Sequence, residues 1–377
     1  MIQKEFFLNL EKHHKSQLPF VAFRKPNDSC VKAILQEDKA IHTVTDFTES
    51  GFVFSPFDSK KDTILFPLEH SKTMSYSLPL SSEISKTSNF EPEIKSFDSS
   101  KDNRENHLKL VDSGIKAIQN GRFEKVVLSR VEDVPISEEN PIKTFQTLLK
   151  NYTTAYVYLW YHPEIGLWLG ATPETLLHLE GQRLKTMSLA GTQPYKGEMD
   201  VVWDEKNTVE QHLVTNFVLQ SLQPLVDQLK ATNAKTIKAG QLLHLQSRID
   251  GVLKSKNLKP IIEALHPTPA VCGLPKTVAK DFILEHEHYN REFYTGFLGE
   301  LNIKTSKIRN TNRRNVENNA YNLVKTSSAL FVNLRCMQIK DDRILIYVGG
   351  GVTKQSTPEK EWEETVSKTR TMMQVIA

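Results

Sequence analysis

Three apolar runs, residues 155–160, 167–170 and 175–179, follow one another with little but turn residues between them, His162-Pro163 and Thr172-Pro173 among these. Runs of that length, rich in aromatic and aliphatic side chains and bounded by Gly and Pro, read as successive antiparallel strands. Similar strands fit residues 125–131, 242–252, 296–303, 330–339 and 343–348, and helical spacing fits 107–120, 141–150, 257–265, 276–288 and 358–373. The longest helical pattern covers 204–229: Val209, Leu213, Val214, Phe217, Val218 and Leu222 form its apolar stripe, and Pro224 is expected to kink or divide it. Runs of strands with helices between hairpins indicate an α+β chain rather than a doubly wound parallel sheet.

The chain divides by pattern into two parts. Residues 1–100 hold short apolar runs at 18–23, 51–54 and 63–67, read as strands, and then a Ser/Lys/Glu/Pro-rich linker from 80 to 101. Residues 101–377 carry the stronger periodicities and every chemical motif. Within them, 304–326 is polar and rich in Asn, Arg and Lys between two apolar strands, as an extended hairpin loop would be. A nucleic-acid patch there would need aromatic residues between the basic ones, and only Tyr321 is present.

Hydrophobic residues make up 39% of the 377, enough for a large core. A net charge of +3 gives no field for nucleic acid or an anionic membrane, so a small molecule is the expected partner. Cys30, Cys272 and Cys336 form no CxxC and suggest neither disulfides nor a zinc knuckle. The charged N-terminus lacks a signal-peptide pattern and no run is long enough to span a membrane, so a cytoplasmic location is expected.

Several charged side chains stand at the ends of apolar elements. Lys125 opens the strand KVVLSR, where desolvation would suit a base, although a snorkelling lysine fits as well. Glu174 follows a Thr-Pro turn in GATPETLL, as a buried acid or as an ordinary exposed carboxylate. In PEKEWEETVSKTR, Glu361, Glu364 and Lys368 share one helix face, which serves either a site or a solvated salt-bridged surface. Glu210, beside the stripe of the long helix, could meet Glu364 if the two helices pack, and a few carboxylates with waters are what Mg²⁺ prefers. His286 and His288 diverge on a helix and no HExxH is present, which argues against zinc. The glycines at 349–351 match no nucleotide motif but let a ligand approach the backbone. Arg335, inside the apolar LFVNLRCMQI, needs a carboxylate from a ligand or from the chain itself.

Taken together, KVVLSR, GATPETLL, SLAGTQP, LHLQSRIDG, HPTPAVCGLPK, REFYTGFLGE, FVNLRC and GGGVTKQSTPEKEWEETVSK occur in the order seen in the chorismate-utilising enzymes. The chain resembles that family from about Asn106 to its C-terminus, with residues 1–100 matching only the family's variable N-terminal part. The resemblance implies two large antiparallel sheets with helices packed outside. It also implies Lys125 as a base activating water for attack at ring C2 and Glu174 as the acid for the departing C4 hydroxyl. Isochorismate and salicylate synthases carry Lys at the first position, whereas anthranilate synthase components carry Gln. Glu210 and Glu364 match magnesium ligands, with Glu361 assisting through water. His244 matches a residue near the C4 hydroxyl, Arg335 and Tyr294 contacts to the enolpyruvyl carboxylate, and Lys368 a contact to the ring carboxylate. Gly191, Ala270 and Gly349 match positions lining the pocket. Asn207 departs from the pattern, since several relatives are acidic there.

The implied activity is isochorismate synthesis from chorismate with Mg²⁺, for menaquinone or catechol siderophore pathways. Salicylate synthesis is the rival reading, and a non-catalytic chorismate-binding protein a remote one. A monomer without a glutamine amidotransferase subunit is expected.

Overall fold

The computed structural model describes residues 1–78, 101–136, 140–307 and 323–376. In chain order these form α1 (Gln3–Lys15), β1 (Phe20–Arg24), β2 (Cys30–Gln36), β3 (His42–Thr43), β4 (Gly51–Ser55), β5 (Ile64–Pro67), a 3-10 turn (Leu68–His70) and β6 (Ser71–Ser77). There follow α2 (Lys101–Gln119), β7 (Lys125–Pro135), α3 (Pro141–Asn151), β8 (Tyr156–His162), β9 (Gly166–Thr172), β10 (Thr175–Glu180), β11 (Arg183–Pro194) and α4 (Glu205–Leu222). The rest comprises β12 (Val226–Ala231), β13 (Lys235–Ala239), β14 (Leu242–Leu253), α5 (Lys259–Leu265), β15 (Gly273–Leu274), α6 (Lys276–His286), β16 (Phe297–Lys307), β17 (Leu323–Val332), β18 (Cys336–Lys340), β19 (Arg343–Val352) and α7 (Pro358–Ile376).

The strands build two antiparallel sheets. One runs β15-β7-β19-β18-β9-β8-β1-β2-β6, the other β12-β14-β11-β10-β17-β16-β4-β5-β3, with β13 paired to β14. Strand β8 shows how the sequence drives this. Its alternate residues Tyr156, Tyr158 and Trp160 join an aromatic core with Phe23, Phe52, Phe54, Phe66 and Phe331, drawn from both sheets. Val157, Leu159 and Tyr161, on the opposite face, pack with Phe6, Phe145 and Met372 from the helices outside. A strand buried on both faces cannot show polar alternation, and YVYLWYH has none except at its end. On the second sheet's outer face, Val218 and Leu222 of α4 and Ile261 and Leu265 of α5 complete another core. This is the α+β arrangement that the resemblance implies.

Residues 1–78 supply β1, β2 and β6 to one sheet and β3, β4 and β5 to the other. The strands that enter and leave the polar 304–326 segment, β16 and β17, pair out to Lys307 and Leu323. Residues 308–322, like most of the linker expected at 80–101, lie outside the described residues. Among the described residues no helix is long and apolar enough to cross a membrane.

Four expectations need correction. The 204–229 helix ends at Leu222, because Pro224 has no N–H to continue it, and the chain turns into β12. On α4 the buried face is Glu210, Gln211, Val214, Val218 and Leu222, while Val209 is exposed, so Glu210 lies on the buried face rather than beside it. Residues 330–339 are not one strand: β17 ends at Val332, β18 begins at Cys336, and the residues between cross from one sheet to the other with Arg335 at φ 48°. The glycines at 349–351 lie within β19, paired with Ser129, Leu128 and Val127, and the turn comes after them.

Candidate active site

Between the sheets, where the Asn333–Arg335 crossing meets β7, β11, β14 and β19, lies a cleft whose space, counting its solvent-open mouth, is about 790 Å³. A concave site of mixed polar and apolar lining suits a small molecule. Its lining includes Glu174, Gly191, Glu210, His244, Ala270, Tyr294, Arg335, Gly349, Glu364 and Lys368. Ten of the twelve sequence-derived site residues therefore face one space. Lys125 and Glu361 stand just behind its wall.

Glycines make that wall thin. A Cβ on Gly351 would collide with Glu210 Oε1 and come within 3.1 Å of Lys125 Cε; one on Gly350 would meet Glu361 Oε2 at 3.1 Å and Glu364 Oε1 at 3.5 Å. Without side chains on this stretch of β19, carboxylates from α4 and α7 reach the strand backbone. The cap of α4 helps to place Glu210: Asp204 Oδ1 accepts from the Asn207 N–H at 2.9 Å and its Nδ2 at 2.7 Å. Asn207 in turn holds the irregular stretch of β11 at Gly191, its Oδ1 accepting from the Thr192 N–H at 3.0 Å. Gly191 sits at φ 72°, a left-handed conformation natural to glycine.

Lys125 is fully buried, with Nζ 2.9 Å from Glu210 Oε1. The approach lacks hydrogen-bond geometry, so the ammonium has a counter-charge but no acceptor among the described residues. Glu174 is 3% exposed. Burial pushes its carboxyl up to about 8, against the opposing pull of Lys125's charge. It therefore carries its proton at neutral pH.

Arg335 reaches the cleft with Nη1 donating to the Ala239 carbonyl at 2.8 Å and Nη2 lying 2.7 Å from His244 Nε2. Burial lowers it to about 10, which leaves it a cation at neutral pH. Among the described residues it has no carboxylate partner, so the internal-acid alternative is not realised. His244 Nδ1 lies 2.8 Å from the Gly191 carbonyl, fitting a tautomer that donates there and accepts from Arg335. Burial, with Arg335 next, drives the imidazole down to about 3, so it is neutral.

Around the glycines each acid has a lysine. Lys368 donates to Glu364 Oε1 at 2.7 Å and to the Gly349 carbonyl at 2.8 Å, and Lys206 to Glu361 Oε1 at 2.6 Å. Burial raises Glu361, and the neighbouring Glu364 charge adds to it. Burial also pushes Glu364 up, but Lys368 and Lys206 outweigh it and the carboxyl ends below its ordinary value. Glu361 Oε2 is buried without a hydrogen bond. Three clustered carboxylates, one with a free buried oxygen, form a hard-oxygen donor set suited to Mg²⁺, which takes one or two carboxylates directly and fills its other positions with water. The three do not all converge as they stand: among the described residues the one trio of candidate ligands with donor atoms within 4.8 Å of one another is elsewhere, at Asp38, His42 and His70. This favours direct ligation by fewer than three of the acids.

Sequence reasoning missed Lys206, although it stands one helical turn before Glu210, the spacing that should have drawn attention to it. It also missed a buried support. Glu287 accepts from Arg291 at 2.6 and 2.7 Å and from the Ser129 N–H at 2.8 Å, while Arg291 donates to the Val127 and Val271 carbonyls at 2.7 and 3.0 Å. This network ties β7 to the segments bearing Ala270 and Tyr294. Long-range pairing of this kind leaves no periodic trace.

The two-sheet scaffold and its neutral acid, lone guanidinium and clustered carboxylates define a site for acid–base chemistry on a small anionic molecule. Family comparison gives that class its name: the chain belongs to the chorismate binding enzymes, whose models match residues 62–307 and 321–374. It is 28% identical over 281 residues to isochorismate synthase MenF of Escherichia coli K12, covering 71% of this chain and 59% of that protein. The matched segments span about three fifths of the MenF proteins of E. coli and Pasteurella multocida. Among solved structures, DhbC from Bacillus anthracis superposes with a TM-score of 0.74 at 22% identity, over 98% of this chain and 99% of that one. Anthranilate synthase component I from Streptococcus pneumoniae TIGR4 does so at 0.61 and 17%, over 94% and 92%. One fold thus carries more than one chemistry, and the site must choose between them.

Proposed function

We propose that the chain is an isochorismate synthase, adding water at C2 of chorismate and expelling the C4 hydroxyl with Mg²⁺ as cofactor. The observation that carries this reading is the acid–base pair: Glu174 holds a proton in the cleft at neutral pH, and a fully buried lysine stands close enough to act on it electrostatically. Glu174 delivers that proton to the departing hydroxyl. Arg335, with Tyr294, receives the enolpyruvyl carboxylate, and Lys368 the ring carboxylate. Neutral His244 lies beside the C4 oxygen, while Gly191, Ala270 and Gly349 shape the floor.

Glu210 and Glu364 would hold the magnesium, with Glu361 reaching it through water. When bound, the ion supplies a positive template for the ring carboxylate. Lys125, fully buried beside Glu210, is the base that takes the proton from water. Lysine at position 125 fits water as the nucleophile, and the E. coli MenF relative supports the same product. A nucleophile drawn from solvent needs no glutamine amidotransferase subunit, and the chain acts as a monomer.

Replacing Lys125 tests the reading. Lys125→Ala should lower turnover by about 10²–10⁴ with the fold retained by circular dichroism, as loss of a general base does. Turnover at the wild-type rate in that variant would remove the base from the proposal.

A further inference from the structure

Far along the sheets from the cleft, three side chains from separate segments meet at one edge. Asp38 lies in the turn leaving β2, His42 is in β3, and His70 ends the 3-10 turn between β5 and β6. The first sheet contributes β2 and β6 here, and the second β3 and β5. His42 Nε2 stands 3.5 Å from Asp38 Oδ1, and His70 Nδ1 stands 3.7 Å from Asp38 Oδ2. The two imidazole centroids are 5.0 Å apart. All three donor atoms fall within 4.8 Å of one another.

These separations, one to each oxygen of Asp38, are too long for good hydrogen bonds. A tetrahedral centre with bonds of about 2.0–2.2 Å holds its donors about 3.3–3.6 Å apart, so side chains whose donors already lie within 4.8 Å of one another need only a short inward movement to share one ion. The surroundings pre-orient the ligands. Gln36, fully buried, donates through Nε2 to Asp38 Oδ1 at 2.9 Å and to the Ala40 carbonyl at 2.8 Å, and the Ala40 N–H donates to the same Oδ1 at 3.0 Å. On the outer side, the Glu69 carboxylate lies 3.8 Å from His70 Nε2, while His70 Nδ1 faces Asp38. His42 Nε2 is buried and has no hydrogen-bond partner. Beneath the trio lies fully buried His162, which interacts with the Ala40 backbone and electrostatically with Asp38 and His42.

We propose that Asp38, His42 and His70 form a binding site for a divalent transition ion of the zinc type, clamping the edges of the two sheets together. Two imidazoles and one carboxylate suit zinc rather than the all-oxygen shell of magnesium, and water completes the tetrahedron. The ion would fix β3, a two-residue strand with little pairing of its own.

The test is zinc titration by calorimetry of the full chain, freed of metal by chelation and held in saturating MgCl₂ so that the cleft acids are occupied. Wild type should take up one saturable equivalent and melt at a higher temperature with zinc than without it. His42→Ala and His70→Ala should each bind at least about tenfold more weakly, since loss of even an orienting partner costs that much. His178→Ala, at a partly exposed position on β10 remote from the trio, should bind as wild type does. His70 is half-exposed, so its variant reports even if His42→Ala unfolds, which melting in chelator would reveal. Absence of saturable binding, or binding of wild-type strength in His70→Ala, would overturn the proposal.

Discussion

Glu174 shows how one carboxyl couples function to stability. Its folded-state value near 8 exceeds that of an unfolded glutamic acid, so across the interval from about 4.5 to 8 the native state holds a proton that the unfolded chain has released. Stability consequently falls as pH rises through that interval, by up to about 1.4 kcal/mol per unit from this group, and levels off above it. Glu174→Gln should therefore abolish most turnover while narrowing the stability difference between pH 5 and pH 8, as read by urea unfolding at each pH. An unchanged pH slope would show that Glu174 is not the buried acid described. Elsewhere in the cleft lining, Arg335→Met removes the guanidinium that lacks a carboxylate of its own among the described residues. The expected result is a KM for chorismate raised about 10–100-fold, the value of a charged hydrogen-bonded contact, with a smaller change in kcat. Both residues were legible as chemistry in the sequence, because a charge in an apolar run demands a partner. Their surroundings were not: Gly191 and His244 are joined to each other, and His244 to Arg335, across tens of residues. The Asp38, His42 and His70 grouping was invisible for the same reason.

Among the elements, β19 and α4 decide the geometry. The glycine run was readable as a place where a ligand could approach the backbone, but that carboxylates of α4 and α7 also come up against Gly350 and Gly351 emerged only from the packing. Gly351→Ala tests this directly. Its Cβ would strike Glu210 Oε1, so the variant should lose at least about tenfold in kcat/KM and need more Mg²⁺ for half-maximal rate, while circular dichroism stays unchanged. Asp204→Ala should cost about 1 kcal/mol through loss of the α4 cap, measured by denaturant unfolding, together with a weaker hold on Asn207 and the stretch of β11 at Gly191. Boundaries were less legible than faces. The periodicity of 204–229 ran through Pro224 because apolar residues continue into β12, where they serve a sheet instead of a helix, and the apolar run at 330–339 hid a crossing between sheets at Arg335.

At the scale of the molecule, the runs of successive strands with helices between hairpins were enough to exclude a doubly wound sheet, and the motif order identified the scaffold. What pattern alone could not supply was the distribution of the first strands: β1, β2 and β6 in one sheet, β3, β4 and β5 in the other. Phe23, Phe52, Phe54 and Phe66 bring this segment into the shared aromatic core. A chain lacking residues 1–77 should accordingly be insoluble or collapse without a cooperative transition, as judged by near-ultraviolet circular dichroism, because it exposes that core along its length. The site lies where both sheets meet, so its chemistry is a property of the whole assembly. The most direct measurement is the product formed when purified protein meets chorismate and Mg²⁺, resolved by chromatography alongside an assay for pyruvate. Isochorismate without stoichiometric pyruvate, and no conversion when the metal is chelated, is the predicted result; salicylate with an equal amount of pyruvate, or chorismate left unconsumed, would contradict it.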